Sequence, residues 1–244
     1  MDAALERRTL SAAASVTTVS EHFGELIDAG ESKLVIIPNG YDPDDFAGAK
    51  KREKDRTQFV ISHVGGLNEN RFYPEFFRGL RAFADEHRSA GTTVRCVFAG
   101  KIPETFLKKI RDLSGENVIL VAKGYLPHRE AVRVMEDSDL LLLFMERSGN
   151  YSGHIPGKLF EYLATGNYIL GAGHKEGNAS RILGEAGAGK VLGRKDDFKS
   201  ALGEIYEQWK QGTLRGADTA LAERYSRKAL TGRLAEVLEG AQWE

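Results

Sequence analysis

Two charges three residues apart, Lys158 and Glu161, interrupt an otherwise apolar helical stretch in HIPGKLFEYLATGNYIL, residues 154–170. The segment reads as a tight loop, a helix over 156–165 and a buried strand. Pro156 suits a first helical turn, where the missing N–H has no intrahelical partner to lose. Leu159, Phe160, Tyr162, Leu163 and Ala164 make the helix apolar nearly all round. A helix so buried does not carry charges without a partner. Their spacing places Lys158 and Glu161 on one face, near the positive end of the helix dipole. The open N–H groups of the first turn, with Lys158, suit a phosphate. Glu161, one turn further in, can accept hydrogen bonds from sugar hydroxyls. The run His154, Ile155, Pro156, Gly157, Lys158, Leu159 and Glu161 is therefore a candidate site for one nucleotide.

Three other segments carry candidate ligand groups. In VGGLNENRFY (64–73), Gly65 and Gly66 let the backbone approach a ligand, and Arg71 follows as a phosphate donor. A plain strand-to-helix turn with a solvated arginine accounts for it equally well. In AGKIP (99–103), Lys101 reads better as solvated than as a ligand group. In KGYLP (123–127), Tyr125 and Leu126 could flank a base, or simply form the turn before the next helix. GAGHKEG (171–177) imitates a dinucleotide fingerprint, with Asp196 and Asp197 about 20 residues on. It lies late in the chain, whereas that fingerprint follows a first strand, so it reads as a turn near a ligand's sugar. Of the six histidines, His63 lies inside a strand and reads as a hydrogen-bonded core residue, while His154 is placed to face a ligand. No pair has zinc-site spacing and there is no CxxC, so no protein-held metal is expected.

These segments need a scaffold. Strand-like runs recur at 34–38, 59–65, 93–100, 117–124, 139–144, 168–173 and 190–193. They are continuously apolar rather than alternating, as in strands covered on both faces. Amphipathic helices are expected over 74–88, 104–113, 129–137, 197–210 and 218–239. Strand–helix alternation of this length implies right-handed βαβ units and a parallel sheet. The fold class is α/β, a Rossmann-like parallel sheet with helices on both faces. Residues 5–29 read as a helix, a short strand near Val16–Val19 and a second helix capped by Ser20 and stopped at Gly30. The turn-rich PNGYDPDDF and a charged surface connection over 47–57 follow. The division is then 1–50 as the remnant of a preceding domain and its junction, 51–215 as the nucleotide-binding domain, and 216–244 as a C-terminal helix.

Composition narrows the partners. The 244 residues carry 34 Lys and Arg against 35 Asp and Glu, so no global field attracts nucleic acid. The single cysteine, Cys96, cannot form an internal disulfide and reads as a small buried hydrophobe. No apolar run approaches a membrane span and no hydrophobic signal core opens the chain, so a cytoplasmic protein is expected. The basic face of 104–113 could meet the inner face of a membrane, though a solvated face explains it more simply.

Together these features resemble the C-terminal, donor-binding half of a GT-B glycosyltransferase of the large family 4 (group 1) type. VTTVSEHFGELI and KLVIIPNGYDPDDF resemble the family's domain junction. VGGLNENRFY is similar to its "GRL…KG" loop, and AKGYLPHREAVRVMEDSDLLLLF to its later strands. PGKLFEYLATGNYILG resembles its "KlfEYla.GkPvi" helix. The resemblance covers about residues 16–240. It implies a nucleotide-diphosphate sugar as donor substrate, no cofactor, and transfer with retention to a glycan or lipid-linked acceptor, as in polysaccharide biosynthesis. Arg71 and Lys158 would neutralise the diphosphate and stabilise it as leaving group, in place of a metal. Glu161 would bind the ribose, and Gly124, Tyr125 and Leu126 would lie near the base. The chain departs from the pattern at Gly66, where the family has arginine, and at Arg71, where it has lysine. The first member of the family's Glu-x7-Glu pair falls on Gly153, so sugar recognition would use His154 or backbone groups. The acceptor domain would be missing apart from its last elements, and the chain alone would bind donor but transfer poorly. Two other readings stand beside this one: a nucleotide-sugar epimerase of the same fold, and a non-catalytic dinucleotide-binding module using GAGHKEG.

Overall fold

The computed structural model of the chain describes residues 3–27, 33–47, 55–89, 91–147 and 153–241. Gly30 and most of the charged connection expected over 47–57 lie outside them. A small parallel pair comes first, β1 (Val16–Thr18) with β2 (Leu34–Ile36). It is flanked by α1 (Ala3–Ala12) and α2 (Glu21–Glu25), whose N-cap is Ser20, its hydroxyl accepting from the Phe23 N–H at 3.4 Å.

The main sheet has six parallel strands. They are β3 (Gln58–Val64), β4 (Thr93–Ala99), β5 (Val118–Gly124), β6 (Leu140–Phe144), β7 (Tyr168–Ala172) and β8 (Gly189–Leu192), in the spatial order β5-β4-β3-β6-β7-β8. Every expected strand forms, within two residues of its expected ends. Strand β6 shows why continuous apolar runs mean burial on both sides: all five residues are buried, with Leu140, Leu142 and Phe144 in one core and Leu141 and Leu143 in the other. The first core is closed by α3 (Pro74–His87), α4 (Glu104–Ser114) and α8 (Phe198–Gln211), and is rich in aromatic rings such as Phe59, Phe76, Phe98 and Tyr206. The second is closed by α5 (His128–Glu136), α6 (Lys158–Thr165), α7 (Asn178–Glu185) and α9 (Thr219–Glu223).

Two helix expectations are corrected. The stretch 218–239 is not one helix: α9 stops at Glu223 and α10 begins at Arg227, running to Gly240. Between them Tyr41 makes a strand-like bridge to Ser226, with Tyr41 N–H on the Tyr225 carbonyl at 3.1 Å and Arg227 N–H on the Tyr41 carbonyl at 2.8 Å. Ser226 then caps α10 by accepting from the Ala229 N–H at 3.1 Å. Backbone pairing with a distant residue overrides a local helical pattern. The helix expected from Pro156 begins instead at Lys158, with Gly157 at its N-cap. Pro156 still opens the lead-in turn, its carbonyl accepting from the Leu159 N–H at 2.9 Å. No described helix is long and apolar enough to cross a membrane.

Candidate functional site

The strand order reverses between β3 and β6: the chain winds outward to β5 on one side and to β8 on the other. In such sheets ligands bind beyond the C-terminal strand ends at that reversal. Here it is flanked by the loop after β3, which contains Gly65, Gly66 and Arg71, and by Met145–Arg147 after β6. Arg147 ties the two together, its N–H donating to the Asn70 carbonyl at 2.8 Å and its guanidinium to the Phe72 carbonyl at 2.7 Å.

Lys158 reaches this crevice from the first turn of α6. Its ammonium lies 2.5 Å from where a Cβ on Gly65 would sit, so only glycine leaves it room. Gly65 also has φ +142°, a conformation other residues rarely adopt. Lys158 makes no ion pair among the described residues. Burial lowers its pKa, Arg71 adds to that, and Glu161 opposes it. A cation held by a neighbouring cation and a helix N-terminus favours an anion. Glu161 is half-buried on the same helix face and makes no side-chain hydrogen bond or ion pair among the described residues.

Arg71 comes to the same crevice, already engaged. Its Nε donates to Glu146 Oε1 at 2.8 Å, joining the loops after β3 and β6. Nothing in the sequence pointed to Glu146. It follows β6 directly, but its importance depends on β6 lying beside β3, which strand order alone decides. His154 lies near this pair: burial lowers its pKa first, then Arg71, with Glu146 opposing.

Along the sheet edge the turns after β3, β4 and β5 stand side by side. Gly65 N–H bonds the Ala99 carbonyl at 2.6 Å, and Gly100 N–H bonds the Gly124 carbonyl at 2.7 Å. With strands about 4.8 Å apart, the ledge from β3 to β5 is about 10 Å long. Tyr125 stands at its far end, 74% exposed, with the Lys101 ammonium 5.5 Å from its ring centre. Lys101 is exposed, as its sequence suggests, and its ammonium stands over the Tyr125 ring. Leu126 is half-buried beside Tyr125, and Gly124 leaves open space at its α-carbon.

Gly153 is buried against a residue of the N-terminal segment. A Cβ there would run into the ring of His22, on α2. Where the resemblance puts a glutamate, this chain has space only for the histidine. The dinucleotide-like glycines are equally occupied. A Cβ on Gly171 would meet Val191 at 2.8 Å and one on Gly173 would meet Met145 at 2.6 Å. Asp196 accepts from Gly193 N–H at 2.8 Å and from Lys175 at 3.1 Å, and Asp197 caps α8. Both are structural. Among the described residues no cluster could hold a metal ion.

Beneath the crevice lies a buried network. Tyr162 Oη accepts from the Val64 N–H at 2.9 Å and lies 3.3 Å from the Leu142 carbonyl, to which it can donate. Tyr162→Phe leaves the Val64 N–H buried without a partner. It should lower unfolding stability by about 1–3 kcal/mol in urea titrations, and an unchanged midpoint would count against the network.

His63 Nδ1 also meets the Leu142 carbonyl, at 3.0 Å. The core histidine is therefore hydrogen-bonded as expected, but only at one nitrogen: Nε2 is buried with no partner of hydrogen-bond geometry. Burial holds its pKa down to about 4, and Lys158 and Arg71 add to this, against the Leu142 and Gly66 backbone. Well above pH 6.5 the ring is neutral folded and unfolded alike. As pH falls from there towards 4, the unfolded chain takes up a proton that the folded one refuses, so stability is lost. About 3 kcal/mol should disappear across that window and none of it in His63→Phe. Urea unfolding of both proteins at stepped pH checks this; parallel curves would refute it.

No protein-family model and no curated sequence matches the chain. Solved structures do match. A glycosyltransferase from Rickettsia africae ESF-5 superposes with a TM-score of 0.66 at 12% identity, covering 98% of this chain and 68% of that one. WaaG, a glycosyltransferase involved in lipopolysaccharide biosynthesis, gives 0.63 at 16% identity, with 92% and 62% covered. TarM from S. aureus, solved with UDP among its ligands, gives 0.61 at 12% identity, with 95% and 45% covered. The chain spans roughly half to two-thirds of the length of these proteins. The fold is that of a Rossmann-like half of a GT-B glycosyltransferase.

Proposed function

We propose that this chain is the nucleotide-sugar-binding half of a glycosyltransferase of the family 4 type, in which transfer to a glycan or lipid-linked acceptor retains the anomeric configuration. The observation that carries it is Lys158: a half-buried ammonium over Gly65, without an ion pair among the described residues, at the start of α6 and at the reversal of strand order. The Leu159 and Phe160 amides are already bonded to the Pro156 and Gly157 carbonyls, so a diphosphate there would meet the Lys158 ammonium and backbone N–H and the Arg71 guanidinium, whose Nη atoms make no bond among the described residues. As the bond to the sugar breaks, negative charge grows on the departing phosphate, and these groups stabilise it. Glu161 would take the ribose hydroxyls, and the ledge leads to Tyr125 as a surface for the base. No cofactor beyond the donor is needed in this reading. The acceptor and the groups that hold it would come from a second domain, joined through the segment 1–50, and action at the inner face of a membrane suits a lipid-linked acceptor.

The test is a thermal-shift and calorimetry panel of uridine, guanosine and adenosine diphosphates against NAD and NADP. Stabilisation by a nucleoside diphosphate, near 2.7 kcal/mol at about 100 Kd, supports the reading. Stabilisation by NAD alone would sink it in favour of the dinucleotide module. Glu161→Ala should narrow the affinity gap between a ribonucleoside diphosphate and its 2′,3′-dideoxy counterpart; an undiminished gap would remove Glu161 from the ribose. Nothing in the geometry favours the epimerase or the dinucleotide reading.

A further inference from the structure

His63 is not required by the mechanism above, yet it lies directly under the site. It is 4% exposed, at the C-terminal half of β3, with its ring against Phe98 and Phe144. Nδ1 must carry the proton, because its neighbour at 3.0 Å is the Leu142 carbonyl, which can only accept. That leaves Nε2 a buried lone pair with no partner of hydrogen-bond geometry, although the Gly66 backbone lies near the ring. A buried acceptor in this state is normally satisfied, so an empty one calls for an explanation. The charges that act on the ring are two cations of the crevice, Lys158 from α6 and Arg71 from the loop after β3. Behind them stand Glu161 on α6 and Glu146 after β6; Tyr162 shares the Leu142 carbonyl, and His154 lies beyond Arg71. β4 contributes the apolar Phe98 to this surround.

We propose that His63 is the proton acceptor of this site: an anionic diphosphate settling on Lys158 and Arg71 draws one proton from solvent onto Nε2, so that donor binding and proton uptake are coupled. The inference rests on the diphosphate reading of the site and deepens it. In the empty protein two cations oppose a third charge below them. A bound diphosphate carries two negative charges and reverses that field, while the Leu142 carbonyl holds Nδ1–H throughout. The added proton gives Nε2–H a direction to donate, towards the Gly66 backbone or a phosphate oxygen above it. By linkage the same coupling makes the donor bind more tightly at lower pH.

The experiment is calorimetry of the full chain with UDP-glucose and GDP-mannose at pH 6, in two buffers of different ionisation enthalpy. The phosphates of these probes do not titrate there, so the buffer difference counts protons moved by the protein. Wild type should take up a substantial fraction of one proton, and His63→Gln, which can still donate to Leu142, should take up less by that amount. Affinity should rise up to about tenfold from pH 7.5 to 5.5 in wild type, for an imidazole restored to its ordinary range, and stay nearly flat in the variant. Equal uptake in both proteins, or loss of uptake in His154→Gln instead, would overturn the role of His63 while leaving the site intact. Failure of every nucleoside diphosphate and nucleotide sugar to bind would instead overturn the diphosphate reading. NMR of the histidine ring protons in wild-type protein, with and without UDP-glucose, gives a readout free of any folding defect. A His63 resonance that does not move towards the protonated shift on binding also refutes the inference.

Discussion

Lys158→Ala should weaken binding of a nucleoside diphosphate about 10- to 100-fold without lowering the melting temperature of the free protein. The affinity loss follows from one charge-assisted contact, worth about 1.5–3 kcal/mol. The absence of a stability loss follows from the free structure. Lys158 makes no ion pair among the described residues, and burial disfavours its charge. Burial and Arg71 outweigh the attraction of Glu161, so removing the ammonium takes away a net unfavourable interaction and the free variant should melt at the same temperature or higher. Lysines with a structural purpose behave in the opposite way. Calorimetry and thermal melts on the same preparations decide between them. A variant that melts early and still binds would make Lys158 a scaffold residue and end the proposal for this site.

Gly100→Ala should be among the most damaging single-methyl changes in the molecule. Gly100 has φ +148°, and a Cβ there would run into the carbonyl of Gly65. That carbonyl cannot step aside, because Gly65 N–H is bonded to Ala99 at 2.6 Å and its other side faces Lys158. Strain and overlap should together cost about 3 kcal/mol or more, roughly 6–12 °C in melting temperature for a domain of this size. Gly124→Ala is the internal comparison. Its φ of +66° also disfavours alanine, but open space surrounds the new methyl, so only about 1–2 kcal/mol is expected. Comparable losses at the two positions would mean that the ledge between β3 and β5 is not the close-packed backbone described here. Donor affinity should fall with Gly100→Ala as well, since pushing Gly65 disturbs the space over which Lys158 lies.

Much of the scaffold was legible in the residues because burial on both faces of a parallel sheet leaves a plain mark. LLLLF cannot sit at a surface, and all five of its residues are buried. The α6 segment was legible for the same reason: a helix apolar nearly all round makes its two charges conspicuous. Its true start at Lys158 was less so, since Pro156 and Gly157 suit a lead-in turn as well as a helical one. The break between α9 and α10 was hidden, because its cause is a bridge to Tyr41, far away in sequence. Glu146 was hidden too. It is one charge after a strand until β6 is placed beside β3, and then it becomes the partner of Arg71.

The order of apolar runs, turn glycines and helix caps thus determined the sheet, its helices and the helix that carries Lys158 and Glu161, because those depend on neighbours within a few residues. Which strand ends meet, that Arg71 is bridged to Glu146, that His22 fills the space over Gly153, and that His63 lies with a bare nitrogen under two cations were decided only by tertiary structure. Charge–charge forces and excluded volume act through space over a few ångströms, and sequence distance does not encode that separation.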